Sequence, residues 1–182
     1  TKTSITPKKQ PLNDTNTHFI NNLEWTIYPD GTVVCQSVLL PRGNPLELLR
    51  LGYELQLPAN MGNVTYYGRG PEENYADRKS GMPLGVYKTT ARDSFFPSGR
   101  PQDCGNHEDT RWVAVTDDKG QGLLFGSVGA PFAFSAIPYT TTDLILANHP
   151  VELPKTTDKT VLVLSSATRG LGGASCGPGP RS

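Results

Sequence analysis

The sequence predicts an all-β protein whose antiparallel strands form a sandwich. Short segments in which apolar and polar residues alternate recur along the chain, as expected of half-buried strands. The 19 glycines and 16 prolines are spread over the 182 residues, which suits many short strands joined by turns. No regular alternation of strand and helix patterns is present, so a parallel sheet is not predicted. The predicted fold class is therefore an antiparallel β-sandwich.

The first part of the chain is a polar stretch followed by a predicted hairpin. Residues 1–17 are rich in Thr, Lys, Asn and Pro, and we expect a flexible polar segment there. One domain is predicted over residues 18–182. Its first two strands, residues 23–28 and 32–40, flank the turn Pro29-Asp30-Gly31, which predicts a β-hairpin.

The rest of the chain predicts further strands and one short helix. The leucines of residues 46–57 fit a helix or a strand, and alternation in the second half of this segment favours a strand. Residues 160–166 are nearly all β-branched or apolar, which predicts a central strand. Residues 140–147 fit a short helix capped by threonine. The other predicted strands are residues 64–67, 84–90, 112–116, 122–128 and 132–136.

Composition excludes several classes of function. Lys and Arg together number 17, as do Asp and Glu, so no basic field attracts nucleic acid or an anionic membrane. No stretch approaches the roughly 18 apolar residues of a membrane span. Cys35, Cys104 and Cys176 lie far apart without C-x-x-C spacing, and the three histidines are scattered. We therefore predict neither a disulfide framework nor a metal site.

Residues 66–78, with the sequence YYGRGPEENYADR, form the first of two polar segments. Two glycines and a proline follow a predicted strand, so we expect the strand to end in a shaped loop. Arginines and carboxylates that leave water need each other as partners, so we expect these groups to hold the loop. The residues given this structural role are Glu72, Tyr75, Asp77 and Arg78.

Residues 102–112, with the sequence QDCGNHEDTRW, form the second polar segment. We expect a loop that leads directly into the strand at residues 112–116. Aromatic faces beside planar hydrogen-bonding groups suit the recognition of a sugar. For His107, however, a structural hydrogen-bonding role is favoured over catalysis. The candidates for proximity to carbohydrate in this segment are Asn106, His107, Arg111 and Trp112.

The residues alone predict no catalytic set. Glycoside hydrolysis uses two carboxylates, and the adjacent pairs are Glu72–Glu73 and Glu108–Asp109. Neighbours on a strand point to opposite faces, so adjacency does not make a catalytic pair. The G-R-G-P segment lacks the ending of a phosphate loop, and no βαβ unit surrounds the glycines near the end of the chain.

Four separated motifs follow one another along the chain. They are residues 68–78, residues 101–112, residues 134–139 with His149 and residues 152–153, and residues 170–176. In this order they resemble the C-terminal small-chain domain of the large bacterial β-galactosidases of glycoside hydrolase family 2. The resemblance covers about residues 28–180.

The resemblance implies a fold and a parent activity. The fold is an antiparallel β-supersandwich similar to galactose mutarotase. This chain is expected to hold the central part of that domain and to be incomplete at both ends. The full-length enzymes hydrolyse terminal non-reducing β-D-galactosides, and their two catalytic glutamates lie on a barrel domain that this chain lacks. We therefore expect no catalytic residue here and a fragment that is inactive alone.

Cofactors and partners are implied in the same way. Full-length family members often use Mg²⁺ and Na⁺, whereas no cofactor is expected in this fragment. The implied partners are a β-galactoside or galactose, the preceding domains of the same chain, and further copies in a homo-oligomer. The resemblance implies a bacterial protein and leaves the choice between cytoplasm and periplasm open.

The resemblance also points to the glycine-rich segment. The small-chain domain closes one side of the active site, and in some members an aromatic residue of its glycine-rich loop contacts the sugar. The matching stretch is residues 170–177, with Cys176 at the place of that aromatic residue. A thiol cannot stack on a pyranose ring, so this chain departs from the family there. Ser175 and Cys176 complete the candidates for proximity to carbohydrate.

Three alternatives remain open for the function of the chain. The first is a stand-alone carbohydrate-binding module, and the second is a purely structural domain that holds oligomer contacts. The third is mutarotase-like catalysis, although the catalytic His and Glu of that enzyme have no match in this sequence.

Overall fold

The computed structural model describes residues 3–5, 18–43 and 48–170. Contacts divide the chain into two units, residues 1–47 and 48–182. Most of the predicted flexible segment lies outside the described residues. Within the described ranges, no helix is long and apolar enough to cross a membrane.

The first unit contains an antiparallel sheet. In its described part the order is β1 (Thr3–Ile5), β2 (His18–Ile27) and β3 (Val33–Arg42). Strands β2 and β3 pair along their whole length around the turn at Pro29 and Asp30. The Asp30 carboxylate accepts a hydrogen bond from the Thr32 amide at 2.9 Å, and Gly31 has a φ of 87°, which favours glycine. The predicted hairpin is confirmed.

The second unit is a β-sandwich. Its described strands form two four-stranded antiparallel sheets. The first sheet has the order β4 (Arg50–Pro58), β11 (Lys159–Thr168), β10 (Phe132–Ile137), β7 (Asn106–Thr110). The second has the order β6 (Leu84–Thr90), β5 (Asn63–Arg69), β8 (Trp112–Thr116), β9 (Gly122–Gly126). The predicted antiparallel all-β class is confirmed.

The sandwich core lies between these two sheets. One buried cluster takes Leu57, Phe134, Ala136 and Leu162 from the first sheet, and the second sheet faces them with Val64, Tyr66, Val113 and Val115. The buried residues of β5 and β8 alternate with more exposed ones, as the pleat of a strand requires. Strand β11 lies between two partners, so the predicted central strand is confirmed.

A short helix covers part of the face of the first sheet that points away from the sandwich core. Helix α1 (Thr141–Leu146) begins at the N-cap Thr140, whose hydroxyl accepts a hydrogen bond from the Asp143 amide. The Asp143 carboxylate accepts one from the Thr140 amide in return. A second apolar cluster consists of Cys104, Ile137, Leu144, Ala147 and Leu153. Helix α1 contributes Leu144, and Leu153 directly follows the 3-10 turn Pro150–Glu152. The predicted helix with its threonine cap is confirmed.

Strands β7, β5 and β9 differ from the sequence prediction. Strand β7 occupies residues 106–110, where the sequence predicted a loop, because its sequence NHEDT contains no apolar residue and gives no hydrophobic pattern. Strand β5 continues through Gly68 to Arg69, beyond the predicted end at Tyr67. A Cβ atom at Gly68 would lie 2.5 Å from Thr110 Oγ1, so glycine is required there for the close approach to β7. Strand β9 ends at Gly126, not at Val128.

Candidate functional site

Asn74, which is fully buried, holds the loop after β5 by hydrogen bonds. Its amide Nδ2 donates to the carbonyls of Arg69 and Glu72, both at 3.0 Å. Its Oδ1 accepts from the Glu108 amide at 2.9 Å, and its backbone amide donates to the Asn106 carbonyl at 2.7 Å. The loop, β5 and β7 therefore share one buried polar cluster. We call it the Asn74 cluster, and it consists of Arg69, Asn74, Asn106, His107, Glu108 and Asp109.

The predicted sugar contacts Asn106 and His107 both lie in this cluster, on opposite faces of β7. Asn106 is fully buried and donates from Nδ2 to the Asn74 carbonyl at 2.8 Å and to Glu108 Oε1 at 3.0 Å. His107 is 4% exposed, and its ring stacks on Phe134 inside the sandwich. The side chains diverge because successive residues of a strand point to opposite faces. Their contact with carbohydrate stays a prediction.

His107 is held as a neutral imidazole. Its Nδ1 lies 3.0 Å from the Tyr66 hydroxyl and 3.1 Å from the Arg69 carbonyl oxygen. A carbonyl only accepts, so the hydrogen is assigned to Nδ1, while the Tyr66 hydroxyl donates to the Pro71 carbonyl at 3.2 Å. Burial lowers the pKa of His107 to about 4, because the charged form would be cut off from water. Burial also raises the pKa of Tyr66 well above its ordinary value.

A β-bulge sets the direction of the Asp109 side chain. Between β7 and β10 the register shifts, so that Glu108 and Asp109 together face Ala133. Asp109 has a φ of 52°, in the left-handed region that Asp tolerates better than most residues. Its carboxylate pairs with Arg69 and, at 3.0 Å, with Lys79. Burial by itself would raise the pKa of Asp109, but the hydrogen bonds from these two cations outweigh it and lower the pKa.

The other two predicted sugar contacts in this segment lie on a different surface. Trp112 pairs with Tyr67 across β8 and β5 and is partly exposed on the outer face of the second sheet. The Arg111 guanidinium lies 5.7 Å from the centre of the Tyr67 ring. The structure thus groups Arg111 with Trp112 and separates both from the buried Asn106 and His107.

Two of the loop residues predicted to be structural, Tyr75 and Arg78, lie in a network beside the cluster. The Tyr75 hydroxyl donates to Asp103 Oδ2 at 3.1 Å, and Arg50 pairs with the same oxygen at 2.6 Å. Arg78 pairs with Glu73 and lies 4.8 Å from the centre of the Tyr75 ring. Burial, followed by the nearby Asp103 charge, raises the pKa of Tyr75 far above its ordinary value. These contacts connect the first polar loop to the segment before β7.

Sequence reasoning missed Asn74 and Glu73. Glu73 Oε2 accepts from the amide of Gly105 at 2.7 Å, and Gly105 has a φ of 69°. Glu72, which the sequence favoured, contributes its backbone carbonyl to Asn74. The available signal was an asparagine three residues after Pro71 of the Gly-Pro turn, since Asn side chains often bond nearby backbone groups.

The glycine-rich segment begins at the Asn74 cluster. The Thr168 hydroxyl, near the end of β11, donates to Glu108 Oε1. At Gly170 a Cβ atom would lie 2.0 Å from Cγ of Asp77, so the backbone of Gly170 lies directly against that side chain. The chain therefore enters the glycine-rich segment between the side chains of Glu108 and Asp77, which belong to two separate sequence motifs. The predicted sugar contacts that lie outside the described residues are Ser175 and Cys176.

No group of three or more His, Cys, Asp and Glu side chains is arranged to hold a metal ion within residues 3–5, 18–43 and 48–170. The described residues therefore contain no group of three or more such side chains for the Mg²⁺ or Na⁺ that the resemblance implies for the full-length enzymes.

Comparison with known proteins identifies the family. The family model described as β-galactosidase small chain matches residues 2–182. The chain belongs to the β-galactosidase small-chain family. It is 47% identical over 124 residues to the β-galactosidase BgaC of Bifidobacterium adolescentis, covering 67% of this chain and 12% of that protein. It is 36% identical over 140 residues to the β-galactosidase of Priestia megaterium, covering 76% of this chain and 13% of that protein.

One relative is named as a separate subunit. The β-galactosidase small subunit of Latilactobacillus sakei is 39% identical over 132 residues, which cover 67% of this chain and 41% of that protein. In all three comparisons this chain spans less than half of the relative's length.

Replacing Asn74 with Ala should destabilise the protein by about 2–4 kcal/mol, because the Glu108 amide and two loop carbonyls lose a buried partner. Urea denaturation of the full chain measures this loss. The exposed Asn60→Ala variant is the matched control and should change stability by less than about 0.5 kcal/mol. Amide exchange at Glu108 should accelerate only in Asn74→Ala. Equal stability of the two variants would show that Asn74 does not hold the loop.

Stability should fall as the pH is lowered from 6.5 toward 4, because unfolded His107 binds a proton that the folded protein excludes. The folded pKa is below the unfolded value, so the unfolded state gains protons first, and the loss is on the order of 3 kcal/mol. Denaturation at several pH values should show a weaker pH dependence in His107→Gln than in the natural protein. The exposed His149→Gln variant is the control. An unchanged slope in His107→Gln would contradict this assignment.

Proposed function

We propose that this chain is the small-chain part of a β-galactosidase that hydrolyses terminal non-reducing β-D-galactosides. In this proposal it completes one wall of the active site and contacts the sugar, while the catalytic glutamates come from the remaining enzyme. The chain alone is then inactive. The names of the relatives and the small fraction of their length that it spans support this division.

One observation supports the proposed role of this chain in the active-site wall. Thr168 bonds to Glu108, and Gly170 rests against Asp77, so the chain leading to Ser175 and Cys176 starts from a fixed point. Glu108 belongs to the Asn74 cluster, whose buried hydrogen bonds make that point rigid. A binding loop that leaves a rigid scaffold positions its side chains at a lower entropic cost than one that leaves a mobile segment.

The two residues of that segment would do different work toward a sugar. The Ser175 hydroxyl both donates and accepts, which suits a sugar hydroxyl. Cys176 supplies a small apolar surface and a weak hydrogen-bonding group. It offers no ring face for the pyranose, so orientation of the sugar would depend more on hydrogen bonds.

A chimera tests the proposal. The 140-residue region of the Priestia megaterium β-galactosidase that matches this chain is replaced by the matching region of this chain, and hydrolysis of o-nitrophenyl β-D-galactoside is followed. We expect activity from the chimera and none from this chain alone. The same enzyme with the region deleted is the control and should be inactive. Enzyme-like hydrolysis by the isolated chain would overturn the proposal, as would full activity of the deleted enzyme.

Carbohydrate binding by the chain itself is a second candidate function, favoured by the outer face of the second sheet. Trp112 and Tyr67 lie side by side there with the Arg111 guanidinium over the Tyr67 ring, which combines ring faces with a planar donor. None of these three residues belongs to the glycine-rich segment, so this function can be tested on the chain alone.

Fluorescence of Trp112 tests this second function. In the Trp25→Phe variant, Trp112 is the remaining tryptophan, since the chain has two. Titration with D-galactose should change its emission with saturation if a pyranose stacks there. The acyclic polyol sorbitol at equal concentrations is the control, because it offers no rigid ring. A linear response, or the same response to sorbitol, would exclude the site.

A further inference from the structure

A half-open cleft lies on the second unit, and none of its lining residues belongs to the Asn74 cluster. Its volume is about 270 Å³. Three separate chain segments line it: the turn after β6, the residues after β10, and the loop before β11. This volume lies just below the roughly 300–1,000 Å³ of most small-molecule sites. The cleft therefore suits one sugar-sized molecule and not an oligosaccharide.

The cleft has an aromatic wall with a fixed geometry. The rings of Phe95 and Tyr139 meet edge to face, with centroids 4.7 Å apart and planes at 67°. Both rings pack against the apolar cluster that contains Ile137 and Leu144, so they are supported from behind. Pro138 adds a further apolar surface. Such a wall favours a ligand with a ring or another apolar face.

Two cations stand in the same cleft. Arg92 and Lys155 are exposed, and neither forms an ion pair with any residue in the described part of the chain. The nearest carboxylates in sequence have other partners. Asp93 accepts from the Thr90 hydroxyl at 2.7 Å, Glu152 pairs with His149 at 3.0 Å, and Asp158 pairs with its neighbour Lys159 at 3.4 Å. The positive charge of the cleft is therefore left for a ligand.

The local structure restrains the backbone near these two cations. The Phe95 amide donates to the Arg92 carbonyl at 3.2 Å, so the turn that carries the cation also carries one ring of the wall. Lys155 follows the buried Leu153 of the apolar cluster by two residues. Thr156 and Thr157 line the cleft next to Lys155 and offer hydroxyls that donate and accept.

We propose that this cleft binds a small organic anion, with its carboxylate or phosphate between Arg92 and Lys155 and its ring against Phe95 and Tyr139. The threonine hydroxyls then meet the polar groups of the ring. A uronic acid and a sugar phosphate both have this chemistry. The proposal does not depend on the proposed function, because no residue of the cleft belongs to the Asn74 cluster or to the glycine-rich segment.

Calorimetric titration of the full chain at low ionic strength tests the proposal. The probes are D-galacturonate, D-galactose 6-phosphate, inorganic phosphate and neutral D-galactose. We expect saturable binding of at least one of the two sugar anions. The double variant Arg92→Gln/Lys155→Gln should weaken that binding by about tenfold or more, the effect of roughly 1.4 kcal/mol. Lys88→Gln removes an exposed cation from β6 and should leave the affinity unchanged within about twofold.

Each outcome of this titration decides the proposal. Binding of galacturonate alone, or of the sugar phosphate alone, supports it and identifies the acidic group. Binding of inorganic phosphate as tightly as the sugar anions would overturn the role of the aromatic wall. If none of the charged probes shows saturable binding, the proposed site is overturned. It is also overturned if Lys88→Gln weakens binding as much as the double variant does.

Discussion

The burial of strand β7 is the constraint on which the site region depends. The strand carries five polar residues, NHEDT, at the edge of the first sheet, and four of them are buried. A buried polar group without a partner costs about 1–3 kcal/mol, so this strand depends on hydrogen bonds to most of its polar groups, although Asn106 Oδ1 has no hydrogen-bond partner among the described residues. Asn74 supplies backbone and side-chain partners from the neighbouring loop. The loop and the strand therefore have to form together.

The sequence predicted the elements whose burial follows a local pattern. Strand β11, the β2–β3 hairpin and the capped helix α1 each have an apolar run or turn residues that determine their structure over a few residues. Strand β7 could not be found in this way. The partners that stabilise it lie more than thirty residues earlier in the chain, and such a long-range interaction leaves no periodic signal.

The candidate residues of the second polar segment are divided between the two sheets, which the local sequence does not reveal. Asn106, His107, Arg111 and Trp112 lie within seven residues, yet the chain leaves the first sheet after Thr110 and enters the second sheet at Trp112. The β-bulge at Glu108 and Asp109 precedes this change of sheet. From residue type alone, all four were predicted to lie near carbohydrate. Only the sheet assignment shows that Arg111 and Trp112 lie on the outer face of the second sheet, whereas Asn106 and His107 are buried on opposite faces of β7.

The buried polar cluster also explains why a glycine-rich segment can start from a well-defined position. Glycines lose more backbone freedom on ordering than other residues, so such a segment cannot define its own starting geometry. Here Glu108 holds Thr168, and Asp77 lies against Gly170, which places the restraint in the polar motifs. Glu108 itself is oriented by Asn106, and Asn106 is oriented by Asn74. The Asn74 side chain also accepts directly from the Glu108 amide, so a substitution of Asn74 would reach the glycine-rich segment through Glu108 and Thr168, although Asn74 does not contact that segment's described start.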